Sequence, residues 1–311
     1  MAELINPFFL ATAIRLAAPM FLAAIGETVT ERGGIFNVGI EGMMLVGAFV
    51  GVVGVVLSGD PLVGLVLATS VGAAVGLVYG IIIAGFRADQ VVAGIGLNIL
   101  AIGATSFLRS LWLGSRIESV PAGALQDRSL PFLGNIPYIG AALFTQSPVV
   151  YLSYLLIPVT AFFLFRTRPG LVVRSVGEHA GAADAAGVDV VLTRVYALMF
   201  AGAMAGMAGA YLSIVQTSGV FIDNMTNGRG FLAIAITIFG RWHPLKIAAA
   251  ALLFGGAEAL QFRGQVLFGQ DVPPALLFMF PFVLALLAWV ALGRGQSGPA
   301  DLGRPFLRSE A

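Results

Sequence analysis

Glu41 is the residue whose type and position most need a chemical explanation. It lies in residues 30–47, TERGGIFNVGIEGMMLVG, where polar, glycine-rich sequence runs into an apolar segment. A carboxylate inside such a segment is costly, and it commonly marks a solute or ion pathway. Gly33, Gly34, Gly39, Gly42 and Gly47 permit close or irregular backbone here. Irregular backbone at membrane depth persists only where protein or a water-filled cavity surrounds it. The chemistry this segment can offer is hydrogen bonding to a polar solute in transit.

Arg15, Glu27, Asn98, Glu258 and Gln261 are further polar residues inside apolar sequence. One reading is a cavity that hydrogen-bonds a solute. The other is interhelical pairing, for example of Arg15 with Glu27 or Glu258, because polar side chains often join transmembrane helices. No helix carries a proton-relay series, which counts against an ion-coupled carrier working alone.

Other chemistries lack their residues. A phosphate-binding loop needs a glycine-rich turn ending in Gly-Lys-Ser/Thr, and the single lysine, Lys246, follows Trp242-His243-Pro244-Leu245. Gly94-Ile95-Gly96 lacks the third glycine of a dinucleotide fingerprint. His179 and His243 stand 64 positions apart, outside metal-ligand spacing, and there is no cysteine. An intramembrane enzyme would need a facing dyad or histidine cluster, and none is evident. The expectation is no catalytic residue, no metal and no cofactor of its own.

The elements that position these residues are membrane spans. The chain has 311 residues, 58% hydrophobic and 11% charged, with mean hydropathy +0.94. A soluble domain averages about 25% charged. Residues 61–86, 129–165, 195–222 and 272–293 hold no Asp, Glu, Lys or Arg, in runs of 26, 37, 28 and 22. About 20 apolar residues cross a bilayer. The fold class expected is all-α, a polytopic helical membrane protein with about 8–10 transmembrane helices. Apolar segments fall near 8–26, 38–58, 61–84, 91–113, 149–165, 190–215, 229–240, 246–262 and 275–293. Residues 229–240 are too few to span and read as half of a broken helix or as the end of a longer one. The N-terminus has no basic stretch before Arg15, so the first segment is expected to be a mature helix.

Residues 1–293 read as one transmembrane domain and 294–311 as a cytoplasmic tail, expected to be disordered from Gly293. Placing residues 166–190 in the cytoplasm puts 11 Lys/Arg inside and 5 outside, as the positive-inside rule prefers. The C-terminus is then cytoplasmic and residues 114–148 form an external loop. Within 166–190, Pro169-Gly170 breaks the preceding helix, and a short helix outside the bilayer is expected to begin at Ser175-Val176-Gly177-Glu178-His179. By composition alone this is an ordinary solvated loop helix. The net charge of +1, spread over loops, gives no stripe for nucleic acid. Gly47/Gly51, Gly72/Gly76/Gly80 and Gly202/Gly206 are four apart, a spacing that lets helices approach closely.

Residues 30–47, 89–107 (DQVVAGIGLNILAIGATSF) and 170–187 together resemble permease subunits of ATP-binding-cassette (ABC) importers, in the group that includes ribose-type sugar and branched-chain amino acid permeases. The Glu-Arg-Gly-Gly-Ile-Phe-Asn…Glu-Gly-Met-Met pattern looks most like bacterial nucleoside permeases. The resemblance extends over roughly residues 10–292. It implies a channel-forming subunit of an importer in the bacterial inner membrane that works by alternating access. The implied partners are an ATP-binding subunit, a second permease that is commonly a different chain, and a substrate-binding lipoprotein or periplasmic protein. ATP would act only on the partner.

Carried over by the same resemblance, Gly177, Glu178, His179, Ala182, Ala183 and Gly187 match the cytoplasmic coupling segment, with His179 where many relatives have Asn. Asn37, Glu41 and Asn98 match path-facing polar positions. Phe36 or Phe231 would stack on a base, and residues 114–148 and 220–228 would meet the binding protein. The alternatives are a permease for a pentose sugar or a branched-chain amino acid, or an ion-coupled secondary transporter.

Overall fold

The computed structural model describes residues 7–114, 125–134, 136–268, 273–292 and 298–307. Each long apolar run forms a helix, and the connections supply the stops and starts. α1 (Pro7–Arg32) runs 26 residues, about 39 Å at 1.5 Å per residue. It ends where Gly34 takes φ 83°. α2 (Ile40–Ser58) is closed by Gly59 in the left-handed conformation. α3 (Pro61–Gly80) starts on Asp60, whose carboxylate accepts the Leu62 N–H. α4 (Gln90–Leu108) starts on Asp89, which accepts from Val91 and Val92. Side-chain acceptors at these positions satisfy N–H groups that have no partner within the helix.

The segment expected to be an external loop is more ordered, where described, than its composition implies. β1 (Arg128–Ser129) pairs antiparallel with β2 (Thr145–Gln146), and α5 (Ile139–Leu143) sits between them. Residues 115–124 and 135 of that loop lie outside the described residues. α6 (Pro148–Arg166) leads into two short helices, α7 (Arg168–Glu178) and α8 (Ala180–Ala185). The residues expected to open the internal helix, Ser175–His179, instead close α7. The chain turns at His179 because it leaves the helical region, with φ −157° and ψ 91°.

α9 (Val190–Ala210) continues as a wider π-turn over residues 211–216. α10 (Arg229–Phe239) is a half-length helix of 11 residues, about 17 Å. α11 (Pro244–Phe268) follows. The last apolar run divides into α12 (Pro274–Phe278) and α13 (Phe280–Leu292). Among the described residues, seven helices are long and apolar enough to cross a membrane, and two shorter apolar helices accompany them.

The glycine spacings do bring helices together. Gly47 lies on the backbone of Gly206, Gly72 on Gly202 and Gly206, and Gly76 on Leu198 and Gly202. α2, α3 and α9 thus meet backbone to backbone in one seam. The neighbouring core is apolar, with Met20, Leu22, Ile25, Met43 and Met44 fully buried.

Two expectations are corrected. Arg15 does not pair with Glu27 or Glu258. It makes a 2.6 Å ion pair with Asp127 and donates from Nε to Gln146 Oε1 at 3.1 Å. α1 is one continuous helix, so Glu27 lies about 18 Å farther along its axis, and Glu258 pairs with Arg229. The described part of the tail, residues 298–307, is not loose either. Asp301 N–H donates to the Gly177 carbonyl at 2.9 Å and Gly303 N–H to the Gly34 carbonyl at 3.1 Å. Phe306 packs against a cluster of Val176, Ala180, Ala183 and Val190. Backbone bonding to these two partners overrides the disorder expected from Gly, Pro and Arg content. Residues 293–297 and 308–311 lie outside the described residues.

Candidate functional site

The turn between α1 and α2 gathers the sequence's polar candidates. Asn37 N–H donates to Glu27 Oε1 at 3.0 Å, and Phe36 N–H donates to Gln90 Oε1, at the start of α4, at 2.8 Å. Tyr79 on α3 donates to the Gln90 carbonyl at 3.1 Å. Asn98 on α4 is bonded at both ends of its amide. Its Oδ1 accepts the Gly42 N–H at 2.8 Å and its Nδ2 donates to the Val38 carbonyl at 2.9 Å. This fastens α4 to the first turn of α2. Gly42 is required here, because a Cβ would stand 2.9 Å from that same Asn98 oxygen.

Glu41 serves the half-length helix. Its two carboxylate oxygens accept the N–H groups of Gly228 at 2.8 Å and Gly230 at 2.6 Å, at the first turn of α10. A helix N-terminus carries a partial positive charge, and a buried carboxylate there is stabilising. The other end of α10 adjoins Trp242, whose indole N–H donates to Glu31. Glu41 therefore holds the start of α10 to the first turn of α2, while Trp242 holds its far end to α1.

Glu27 and Glu31 sit one turn apart on α1, both fully buried. Among the described residues, Glu27 Oε2, Glu31 Oε1 and Asn37 Oδ1 accept from no N–H or O–H donor. A polar, enclosed spot of this kind is where an ordered water is expected. Neither Glu31 nor Trp242 stood out in the sequence. The available signal was that the short segment 229–240 ends beside a tryptophan.

The coupling-segment candidates fall on α7, α8 and the turns beside them. Glu178, His179, Ala182 and Gly187 are exposed, whereas Gly177 and Ala183 are buried. Gly177 lies against the backbone of Arg32–Gly34, leaving no room for a side chain. His179 Nδ1 accepts the Ala182 N–H at 3.1 Å and so caps α8, which gives this histidine a structural role. His243 stacks on Phe165, with ring centroids 5.3 Å apart. Glu178 stands 3.8 Å from Arg32 and keeps 56% of its side chain exposed. Phe231 is also exposed, and Phe36 is partly buried against the core.

A cavity of about 570 Å³ opens at the opposite end, lined by Arg15, Asp127, Tyr211, Gln216, Thr217 and Arg229 among others. Among the described residues no group of three or more His, Cys, Asp or Glu could hold a metal ion.

The family model described as branched-chain amino acid transport system / permease component matches residues 9–294. The chain is 36% identical to the guanosine ABC transporter permease protein NupQ of Bacillus subtilis, over 94% of each chain. It is 32% identical to the nucleoside ABC transporter permease protein NupC of Lactococcus lactis, over 94% of this chain and 95% of the other. It is 36% identical to the putative glucose ABC transporter permease protein TsgC13 of Haloferax volcanii, over 82% and 77%. Each of these organisms holds a second, more distant match that shares the printed solute and role, at 27%, 22% and 26% identity.

Proposed function

We propose that this chain, which belongs to that permease family and is a multi-pass plasma-membrane subunit of an ABC importer, moves nucleosides. Its partners include an ATP-binding subunit and a substrate-binding protein. The observation that carries the mechanism is the placement of α7–α8, an exposed helical pair packed directly on the α1–α2 turn. That turn bonds to the start of α4 through Gln90 and Asn98. A push on α7–α8 therefore reaches α4 through contacts alone.

α4 presents Ile95, Ile99, Leu100 and Phe107 outward, and Gly96 and Gly103 border open space. This face is the wall that a second permease completes. The paired matches within single organisms support a second permease of different sequence. Asn37, Glu41 and Asn98 position the wall and α10. Phe231 and Phe36 supply flat apolar surface for a base. Glu178, His179, Ala182 and Gly187 form the ATPase contact, with Gly177 and Ala183 beneath it. The ATPase docks from the cytoplasm and the C-terminus is cytoplasmic too, a reading that the bonds of residues 298–307 to α7–α8 support. The subunit itself performs no hydrolysis. ATP binding on the partner closes the ATPase dimer, and the two states differ in how they hold α7–α8, as coupling requires.

The test is uptake of labelled guanosine with and without this gene, challenged by unlabelled adenosine, ribose and leucine. Loss of uptake on deletion, with competition by adenosine alone, is expected. Unchanged guanosine uptake in the deletion strain would refute the solute. The Haloferax match favours a sugar as the second reading, in which ribose would compete instead.

A further inference from the structure

We infer that the tail, residues 298–307, is a strap that makes α7–α8 and the α1–α2 turn move as one body, so that it is required for coupling and not for ATPase binding. This rests on the reading of 166–190 as the ATPase contact.

The bonds that the strap makes fall on three elements, α7, α8 and the α1–α2 turn. Asp301 reaches the end of α7 through its N–H to Gly177. Its carboxylate Oδ2 accepts the Ala180 N–H at 2.7 Å, at the start of α8. Gly303 N–H reaches Gly34 in the α1–α2 turn. Arg194 of α9 closes the ring, with Nε donating to the Gly33 carbonyl at 3.2 Å and Nη1 to the Arg304 carbonyl at 3.0 Å. Phe306 fills the space between α8 and α9. At the near end, Gly298 packs on the Trp242 ring that bonds Glu31.

Without the strap, α7–α8 meets the turn through the Gly177 backbone contact and the Arg32–Glu178 pair. That pair, at 3.8 Å with the Glu178 side chain 56% exposed, gives little directional hold. Hydrogen bonds are directional, and those of the strap would have to break before α7–α8 could slide past the turn. Displacement of α7–α8 is thereby passed to Phe36 and Val38, and from them to Gln90 and Asn98 of α4. The strap's outer residues, Ala300, Gly303, Arg304 and Pro305, are exposed beside α8, so docking of the ATPase leaves the bonded side undisturbed.

The experiment uses the complete importer in liposomes and reads labelled guanosine imported per ATP hydrolysed. A chain ending at Gly298 is expected to retain the ATPase subunit and basal hydrolysis, and to lose about tenfold in that ratio. Asp301→Ala, which leaves the rest of the strap in place, is expected to lose severalfold. An unchanged ratio in both would overturn the inference, as would a truncated chain that no longer holds the ATPase. Glu178→Arg is measured beside them. If it too leaves the ratio unchanged, the reading of 166–190 fails; if only the tail variants do, the strap alone fails.

The chain has no cysteine, so Val190→Cys with Phe306→Cys, two positions of one packed cluster and neither among the residues assigned to the ATPase contact, gives a clean cross-link. Import unaffected by oxidation is expected, because the strap stays docked throughout the cycle. Import lost on oxidation and restored by reduction would also overturn it.

Discussion

The seam of α2, α3 and α9 and the polar end built from α1, α7 and the tail are held by opposite means. In the seam no side chain intervenes. Gly72 meets Gly202 and Gly206, Gly47 meets Gly206, and Gly51 meets Ala210. Contact there is dispersion between close backbones, with every position filled. At the polar end the contacts are hydrogen bonds at specific atoms, and Glu27 Oε2, Glu31 Oε1 and Arg194 Nη2 make none among the described residues. A packed seam has one arrangement, because any slide produces a clash. A polar end can exchange bonds. On the proposed reading, this difference separates a part that stays fixed during transport from a part that receives the ATPase stroke.

The comparison breaks most sharply at Gly72. Gly72→Leu would drive a side chain into the α9 backbone and is expected to cost about 3 kcal/mol. The check is the yield of folded, monodisperse protein after detergent extraction, and a normal yield would show that the seam can open. Glu41→Ala is next. It leaves two N–H groups unpaired at the start of α10 and is expected to cost about 2–3 kcal/mol. Glu41→Gln, which keeps one acceptor, should lose less. Thermal unfolding in detergent measures both, and an unchanged midpoint for the alanine variant would remove the helix-capping role.

Trp242→Phe probes the polar end more gently. It keeps an aromatic ring but deletes the donor to Glu31 and the Cζ2–Cη2 edge on Gly298, at an expected cost of about 1–2 kcal/mol. Guanosine imported per ATP should fall more than stability does. Equal, small changes in both would place this bond in the fixed body. The smallest effect is expected at Asp223. It pairs with Arg109 at the far end, with 36% of the arginine side chain and 46% of the aspartate side chain exposed. Asp223→Ala should cost under about 1 kcal/mol, less still in high salt. A larger, salt-independent drop in the unfolding midpoint would mean that the loop after α9 depends on that pair.

Much of this was legible in particular residues. The charge-free runs fixed where helices cross, and Asp60, Asp89 and Asp189 stand where helices begin. The four-residue glycine spacing identified the seam, although many other glycines obscured it. The resemblance carried by residues 30–47 marked the turn at which the polar contacts converge. Glu41 was singled out as a costly carboxylate, but its partners Gly228 and Gly230 lie 187 and 189 residues away. Nothing in its neighbourhood named them. The tail was misread because Gly, Pro and Arg content reports weak local preference, and its order comes from bonds to Gly34 and Gly177.

The sequence by itself determined a multi-pass helical protein and the glycine spacings that let its helices approach closely. These depend on local hydropathy and spacing, which one strand of sequence records. Only the tertiary structure decided that Glu41 caps a half-length helix, that Arg15 pairs with Asp127, and that Asp301 ties α7 to α8. Each is a directional bond between residues more than 100 positions apart, and periodicity carries no information about which distant atom will arrive within 3 Å.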